Sequence, residues 1–241
     1  MTSQPAAGPT TADERIVVLD VLRGFALYGV LLANTVHLYS GRIFVSREEV
    51  LARISRADAV LLYAFNLFVE GKAMMLLTFL FGLGFSLQLQ RAEAAGRPAV
   101  RTFLRRLAAL LLIGAGHVLL LWWGDILWGY AIGGVGLIFF RRVRGWKLLA
   151  WGLLLGLLPR FIAHLPPVAN AILLVTPKPP NETTYGAQML AAILGHDRAL
   201  LTVMQVKQVF YFVGRFWTSY FFELVGRFLI GYWVGSTRIF Q

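Results

Sequence analysis

The sequence predicts an all-α polytopic membrane protein, a bundle of about six transmembrane helices with further interfacial or re-entrant helices. Three observations lead to this prediction. Of the 241 residues, 58% are hydrophobic, and the mean hydropathy is +0.66. Only 15% are charged, against roughly 25% in a typical soluble domain. The apolar residues also form long runs, interrupted mainly by glycines and isolated charges, as in membrane-spanning helices.

An N-terminal tail precedes the predicted transmembrane domain. Residues 1–14 are small and polar and include prolines, so we expect a disordered cytoplasmic tail. Residues 15–241 form the transmembrane helical domain. Its first span, about 16–39, is longer than the apolar core of a signal peptide and contains Asp20 and Arg23. We therefore expect this helix to be retained and not cleaved.

The other spans follow in order along the chain. The apolar stretch 57–68 comes first, but its length of about a dozen residues favours an interfacial or re-entrant helix. The remaining predicted spans are 73–90, 107–123, 126–140, 148–165 and 221–235. Before the last span, the prolines and small polar residues of 177–184 predict a loop.

Basic residues in the short loops set the predicted orientation. Two clusters follow the second and fourth spans: Arg91, Arg97, Arg101, Arg105 and Arg106, and then Arg141, Arg142, Arg144 and Lys147. Both are expected on the cytoplasmic side, which puts the N-terminus inside and the turn at Asp125 outside. The loop 40–58 carries four arginines and would lie outside, against the rule, but the two clusters outweigh it.

The net charge of +11 could by itself indicate a nucleic-acid-binding protein. The cations flank apolar runs, however, and do not line a polar face, which is typical of orientation signals and anionic-lipid contacts. We therefore expect the partners to be the bilayer and anionic lipids at the basic cytoplasmic loops, and no nucleic acid. The absence of cysteine excludes disulfides and a cysteine nucleophile, and the four scattered histidines predict no metal site.

Ionisable residues inside a span are costly unless they are paired or hydrated, so each needs a reason. Asp20 and Arg23 are three residues apart and share a helix face. They fit either a self-neutralising pair or a cationic clamp for an anionic ligand near the cytoplasmic side. Glu223 and Arg227, four residues apart, favour a structural ion pair.

Several polar residues are expected at the outer membrane boundary. They are Asn34, Glu70, Lys72, His117 and Asp125. Two carboxylates, a lysine and a histidine at one membrane level would suit proton transfer. The sequence leaves open whether His117 is a catalytic base or a hydrogen-bonded structural residue of the bundle.

Four segments carry a resemblance to a known family: RIVVLDVLRGFALYGVLLAN, FVEGKAMMLLTFLFGLGFSLQLQR, GHVLLLWWGDILWGYAIGG and FFELVGRFLIGYWVG. In this order they resemble YeiB-like bacterial inner-membrane proteins, which implies a multi-pass protein of that membrane. YeiB-like chains normally continue with several more spans, so the resemblance implies the N-terminal part of a longer bundle, truncated at its C-terminus. The family in turn resembles the membrane acyltransferases, including the lysosomal enzyme that acetylates heparan glucosamine.

The acyltransferase resemblance assigns roles to individual residues. In those enzymes an arginine on an early span is followed eleven residues later by a histidine or asparagine, the spacing of Arg23 and Asn34 here. This implies Arg23 near the phosphate or pantetheine of an acyl donor and Asn34 near the acyl group, with His117 as the best remaining base. Acyltransferases with asparagine at this place have a catalytic histidine eleven residues further on, where this chain has Val45.

The resulting hypothesis is an acyltransferase that moves an acyl group from a cytoplasmic acyl-thioester to an acceptor at or across the membrane. The candidate catalytic residues are His117, Asn34 and Glu70, and the candidate substrate-binding residues are Arg23, Asp20, Lys72 and Asp125. No bound cofactor is expected, and acyl-CoA would be a co-substrate. Intramembrane charges suit a transporter or channel for a small polar or anionic solute equally well, and a non-catalytic membrane scaffold is a third possibility.

Overall fold

The computed structural model describes residues 16–39, 47–120, 124–163, 165–168 and 182–237. Within these ranges the chain is helical and contains no β-strand, as the all-α prediction requires. The predicted cytoplasmic tail, residues 1–14, lies outside the described residues, as does the first part of the predicted loop 177–184.

The described helices are α1 (Val17–Tyr39), α2 (Arg47–Arg53), α3 (Arg56–Phe68), α4 (Lys72–Ala94), α5 (Ala99–Leu120), α6 (Leu127–Phe139), α7 (Trp146–Ala163), α8 (Glu182–Leu194), α9 (Arg198–Arg215) and α10 (Phe221–Ser236). A π-helical turn, Phe216–Tyr220, joins α9 to α10. Helix α8 begins at Glu182, inside the predicted loop 177–184, because the last proline of that stretch is Pro180 and a helix can start after it.

Three segments of the described chain are long and apolar enough to cross a membrane: Val17–Val36, Arg56–Ala94 and Ala99–Leu120. The other predicted spans correspond to α6, α7 and α10, which have 13, 18 and 16 residues. A perpendicular span needs about 20 residues. The structure therefore supports a membrane protein with three spanning helices by length and composition, and the count of about six stays a prediction.

Helix α3 is separate from α4, as the short apolar stretch 57–68 predicts. It begins with a capping box, in which Ser55 Oγ accepts from the Asp58 N–H and Asp58 Oδ2 accepts from the Ser55 N–H. It ends before Gly71, whose φ of +76° favours glycine. No residue of α3 is buried in the protein. Its predicted place, at the membrane interface or as a re-entrant helix, stays a prediction.

Helix α10 lies at the centre of the bundle, packed against α4, α6 and α7. It approaches α4 at backbone distance: a Cβ added at Gly82 would overlap the carbonyl oxygen of Phe228, and one added at Gly231 would overlap that of Phe79. Glycine is required where two helix backbones approach this closely. One face of α4 is therefore fixed against α10, which leaves its other face to form a groove with α1 and α5.

Candidate functional site

A groove of about 470 Å³ lies between α1, α4, α5 and the beginning of α6. Along α4 its lining runs from Leu77 to Gln88, eleven residues apart and hence about 16 Å at 1.5 Å per residue. Most of the wall is aliphatic or aromatic, and the charged or amide side chains in it are Arg23, Gln88 and Arg106. The groove is therefore an apolar slot with a polar end near the C-terminal part of α4.

Two arginines from different helices meet α4 at this polar end. From α5, Arg106 Nη1 donates to Gln88 Oε1 over 2.9 Å. From α1, Arg23 lies against Gly84, one turn before Gln88, with its Nη2 only 3.0 Å from where a Cβ of residue 84 would stand. Glycine at position 84 thus makes room for the guanidinium group. The polar end is built by three helices and carries two positive charges.

Asp20 and Arg23 form the ion pair that their spacing predicts, with Arg23 Nη1 3.0 Å from Asp20 Oδ1. The side chains are 53% and 40% exposed, and ion pairs this exposed contribute little to stability. Arg23 lines the groove and Asp20 does not. The pairing therefore orients one edge of the guanidinium group and leaves the other edge at the groove. The geometry is compatible both with a self-neutralising pair and with a cationic clamp for an anionic ligand.

A His–Asp pair lies where α5 ends and α6 begins. His117 Nδ1 is 2.9 Å from Asp125 Oδ2, although the two atoms do not meet the geometry of a hydrogen bond. Asp125 is 3% exposed and His117 36%. The other carboxylate oxygen, Oδ1, accepts from the N–H groups of Leu127 (2.7 Å) and Trp128 (3.2 Å). A carboxylate fixed in this way beside an imidazole can orient a histidine base.

Two substitutions of Asp125 should distinguish the hydrogen bonds that its carboxylate accepts at the start of α6 from the effect of its charge. Asp125→Ala should lower the free energy of unfolding by about 1 kcal/mol, because two N–H groups at the start of α6 lose their acceptor. Asp125→Asn should cost less, since the amide oxygen can still accept from both. Helical circular dichroism of the purified variants during denaturation in mixed detergent micelles measures this. Equal losses in the two variants would mean that the charge stabilises α6 and the cap does not.

The groove leads towards this pair. His117 does not line it, but it lies eleven residues after Arg106 on the same face of α5, about 16 Å further along the helix. Leu127, whose N–H is held by Asp125, lines the apolar end of the groove. One turn before His117, a Cβ added at Gly114 would stand 2.5 Å from the Trp128 nitrogen, so α5 and α6 touch directly there. The polar end and the His–Asp pair are therefore at opposite ends of one α5 face.

The remaining predicted residues lie outside the groove. Asn34 and Lys72 are exposed, Glu70 is half-buried, and none of the three is part of the groove lining. Lys72 Nζ donates to the carbonyl oxygen of Asn66 over 3.2 Å. The structure thus joins Asp20 to Arg23 and His117 to Asp125. The catalytic roles of Asn34 and Glu70 and the binding role of Lys72 stay predictions.

Two groove residues do not follow from the motifs of the sequence. Arg106 is there one of the basic residues that set the orientation, and Gln88 belongs to no motif. A signal existed for both: Phe103, Arg106, Leu107 and Leu110 recur at the spacing of one helix face, and Gln88 is an amide within an apolar span. The sequence does not show that the two faces meet.

Curated proteins similar to this chain include three from bacteria. Uncharacterized protein YxaH of Bacillus subtilis is 40% identical over 154 residues, which is 62% of this chain and 38% of that protein. An uncharacterized 39.9 kDa protein from the amylase 3′ region of Bacillus acidopullulyticus is 35% identical over 136 residues, 56% of this chain and 37% of that protein. Uncharacterized protein YeiB of Escherichia coli is 36% identical over 131 residues, 54% of this chain and 32% of that protein.

The matched part of the chain thus spans between 32% and 38% of the length of these relatives. The similarity to these relatives, over 131 to 154 residues, supports the resemblance to YeiB-like proteins, and the names of the relatives assign no activity. No family model matches the chain, and no solved structure matches it.

Proposed function

We propose that this YeiB-like membrane protein transfers an acyl group from a cytoplasmic acyl-thioester, such as acyl-CoA, to an acceptor at or across the membrane. The observation that carries the proposal is a single groove with a cationic end and an apolar body that leads towards a His–Asp pair. The proposal includes a multi-pass bundle of about six spans in the bacterial inner membrane, with the N-terminus in the cytoplasm.

An acyl-thioester of coenzyme A is complementary to both the cationic end and the apolar body of the groove. Its phosphates are anionic and would lie at Arg23, and the pantetheine arm and acyl chain beyond them would follow the groove, which brings the thioester towards His117. In the proposed orientation the polar end of the groove is cytoplasmic, since Gln88 and Arg106 adjoin the basic cluster between the second and third spans. The donor would then enter from the side of the membrane where acyl-CoA is made.

The proposed chemistry is attack of a hydroxyl or amine acceptor on the thioester carbonyl. His117 takes the acceptor's proton while the new C–O or C–N bond forms, and the proton then passes to the departing thiolate as the C–S bond breaks. Asp125 Oδ2 lies 2.9 Å from Nδ1 and would orient the imidazole once a rotation of the ring aligns the two atoms for a hydrogen bond. Asn34 and Lys72 would donate hydrogen bonds to the oxyanion, and Glu70 would be an alternative base, but all three lie outside the groove.

Inverted membrane vesicles that contain the protein and expose its cytoplasmic side test the proposal. They are incubated with radiolabelled acetyl-CoA or palmitoyl-CoA, and label is counted in the protein and in the lipid phase. We expect label above that of empty vesicles. Absence of label with both donors, together with flux of a solute through the same protein, would favour the transporter over the enzyme.

Arg23→Ala should raise the apparent KM for the donor about tenfold or more, since a hydrogen bond to a charged group contributes about 1.5–3 kcal/mol. Arg53→Ala is the matched control, because Arg53 is also paired with a carboxylate on its own helix, Glu49, but lies outside the groove. The same vesicle assay over a range of donor concentrations gives KM for each variant. Equal KM values would remove Arg23 from the donor site.

A further inference from the structure

We propose that Arg23, Gln88 and Arg106 form a binding site for the phosphate group of an amphiphile whose apolar chain occupies the groove. Where that phosphate belongs to an acyl-thioester the inference rests on the proposed function. The binding itself requires no acyl transfer, and it assigns two residues, Gln88 and Arg106, that the acyltransferase resemblance does not.

The side-chain amide of Gln88 carries the inference. Its Nε2 is buried and meets no hydrogen-bond partner in the described part of the chain. The orientation of the amide is fixed, because its Oε1 accepts a hydrogen bond from Arg106 Nη1. Rotating the amide by half a turn would place the donor Nε2 opposite the donor Nη1. Nε2 is therefore a buried donor without an acceptor, which is unfavourable. An oxygen of a ligand in the groove would reach it once a small rotation of the side chain exposes Nε2 to the groove.

The surroundings of that donor in the groove are suited to an anionic acceptor. Most of the lining near Gln88 is apolar, and the two arginines on either side of it carry the positive charge. Arg23 has one nitrogen on Asp20 and its Nη2 beside Gly84, one turn from Gln88. With Asp20 counted, this polar end keeps a net charge of +1. An acceptor that reaches Gln88 Nε2 and both guanidinium groups would be anionic.

A phosphate ester fits this arrangement better than a carboxylate. The donors come from α1, α4 and α5 and so approach from different directions, whereas a carboxylate presents two oxygens in one plane. A phosphate ester presents its oxygens tetrahedrally and is well matched by guanidinium groups. Inorganic phosphate alone would leave the apolar slot beside Leu80, Phe81 and Leu107 unfilled. An apolar chain attached to the phosphate would bury that surface.

Two sources share this chemistry, a phospholipid headgroup and the phosphate of an acyl-thioester such as palmitoyl-CoA. Binding of radiolabelled 1-palmitoyl lysophosphatidic acid to the purified full chain in mild detergent is measured first. Unlabelled palmitoyl-CoA, palmitate and S-palmitoyl pantetheine, which lacks phosphate, then compete for the site. We expect the phosphate-free competitors to be at least about tenfold weaker than the better of the two phosphate-bearing amphiphiles. The stronger of those two identifies the source.

Two variants and one control locate the site. Arg106→Ala and Gln88→Leu should each weaken binding of the preferred phosphate amphiphile about tenfold. Arg105→Ala should leave it unchanged, because Arg105 is exposed beside Arg106 but does not line the groove. Size-exclusion chromatography is used to check that each variant is folded. The competition experiment uses the unchanged protein and so does not depend on the folding of any variant.

Competition by palmitate as strong as that of both phosphate amphiphiles would overturn the inference, as would unaltered binding in both Arg106→Ala and Gln88→Leu. Its failure is distinguishable from that of the proposed function. Phosphate-dependent binding without any acyl transfer would leave the site standing and remove the enzyme. Acyl transfer together with equal competition by the phosphate-bearing and phosphate-free amphiphiles would do the reverse.

Discussion

His117→Ala should lower the rate of acyl transfer at saturating donor by about 10²- to 10⁴-fold, the usual contribution of a positioned general base. The physical reason is that a hydroxyl or amine acceptor is a weak nucleophile until its proton is taken. His117 is partly exposed beside the buried carboxylate of Asp125 and can accept that proton. Initial rates of label transfer from acyl-CoA in inverted vesicles measure the effect.

His117→Asn is the matched variant for this prediction. Its amide nitrogen can donate to Asp125 Oδ2 from about the place of Nδ1, so the contact between α5 and α6 is kept, but an amide cannot act as a base. A catalytic His117 predicts that both variants lose the activity. Retention of activity in His117→Asn, with loss in His117→Ala, would show that the residue is structural. Full activity in both would direct the search for the base to Glu70.

Gly82→Ala should lower the free energy of unfolding by about 3 kcal/mol or more, at the upper end of the usual cost of overpacking. The added methyl group would overlap the carbonyl oxygen of Phe228 on α10. A backbone atom cannot turn away as a flexible side chain can, so the two helices must separate. Denaturation of the purified variant in mixed micelles, followed by circular dichroism, measures the loss.

Gly116→Ala is the control for this prediction. A Cβ at Gly116 meets nothing within 4 Å, so the substitution should be neutral or slightly stabilising, by up to about 1 kcal/mol from helix propensity. Because Gly82 fixes α4 while Gln88 on the same helix lines the groove, Gly82→Ala should also weaken binding in the groove. Unchanged stability of Gly82→Ala would contradict the close packing of α4 on α10.

Contacts within one helix were predictable. The spacings of three and four residues predict the pairs Asp20–Arg23 and Glu223–Arg227, and both are present, with Arg227 Nη2 2.9 Å from Glu223 Oε2. An α-helix fixes the relative direction of side chains three or four residues apart, whatever surrounds it. The separation of α3 from α4 follows from a different feature, the short apolar stretch 57–68.

The number of spans was less predictable, and α6 shows why. Hydropathy predicts a span at 126–140, yet the helix there has 13 residues, about 20 Å at 1.5 Å per residue. The hydrocarbon core of a bilayer is about 30 Å thick. Trp128, Tyr130 and Leu137 of this helix are buried in the protein. Apolar composition is the same for a helix that faces lipid and for one enclosed by its neighbours, so hydropathy alone cannot separate them.

The helical class, the membrane character and the ion pairs within single helices can be predicted from the amino-acid sequence, because each follows from composition or from the fixed geometry of one helix. Only the tertiary structure brought Arg23, Gln88 and Arg106 to one end of a groove and His117 to Asp125. Periodicity gives the face on which a residue lies but not which face of another helix it meets. That choice depends on where glycines such as Gly82 and Gly114 let two backbones approach.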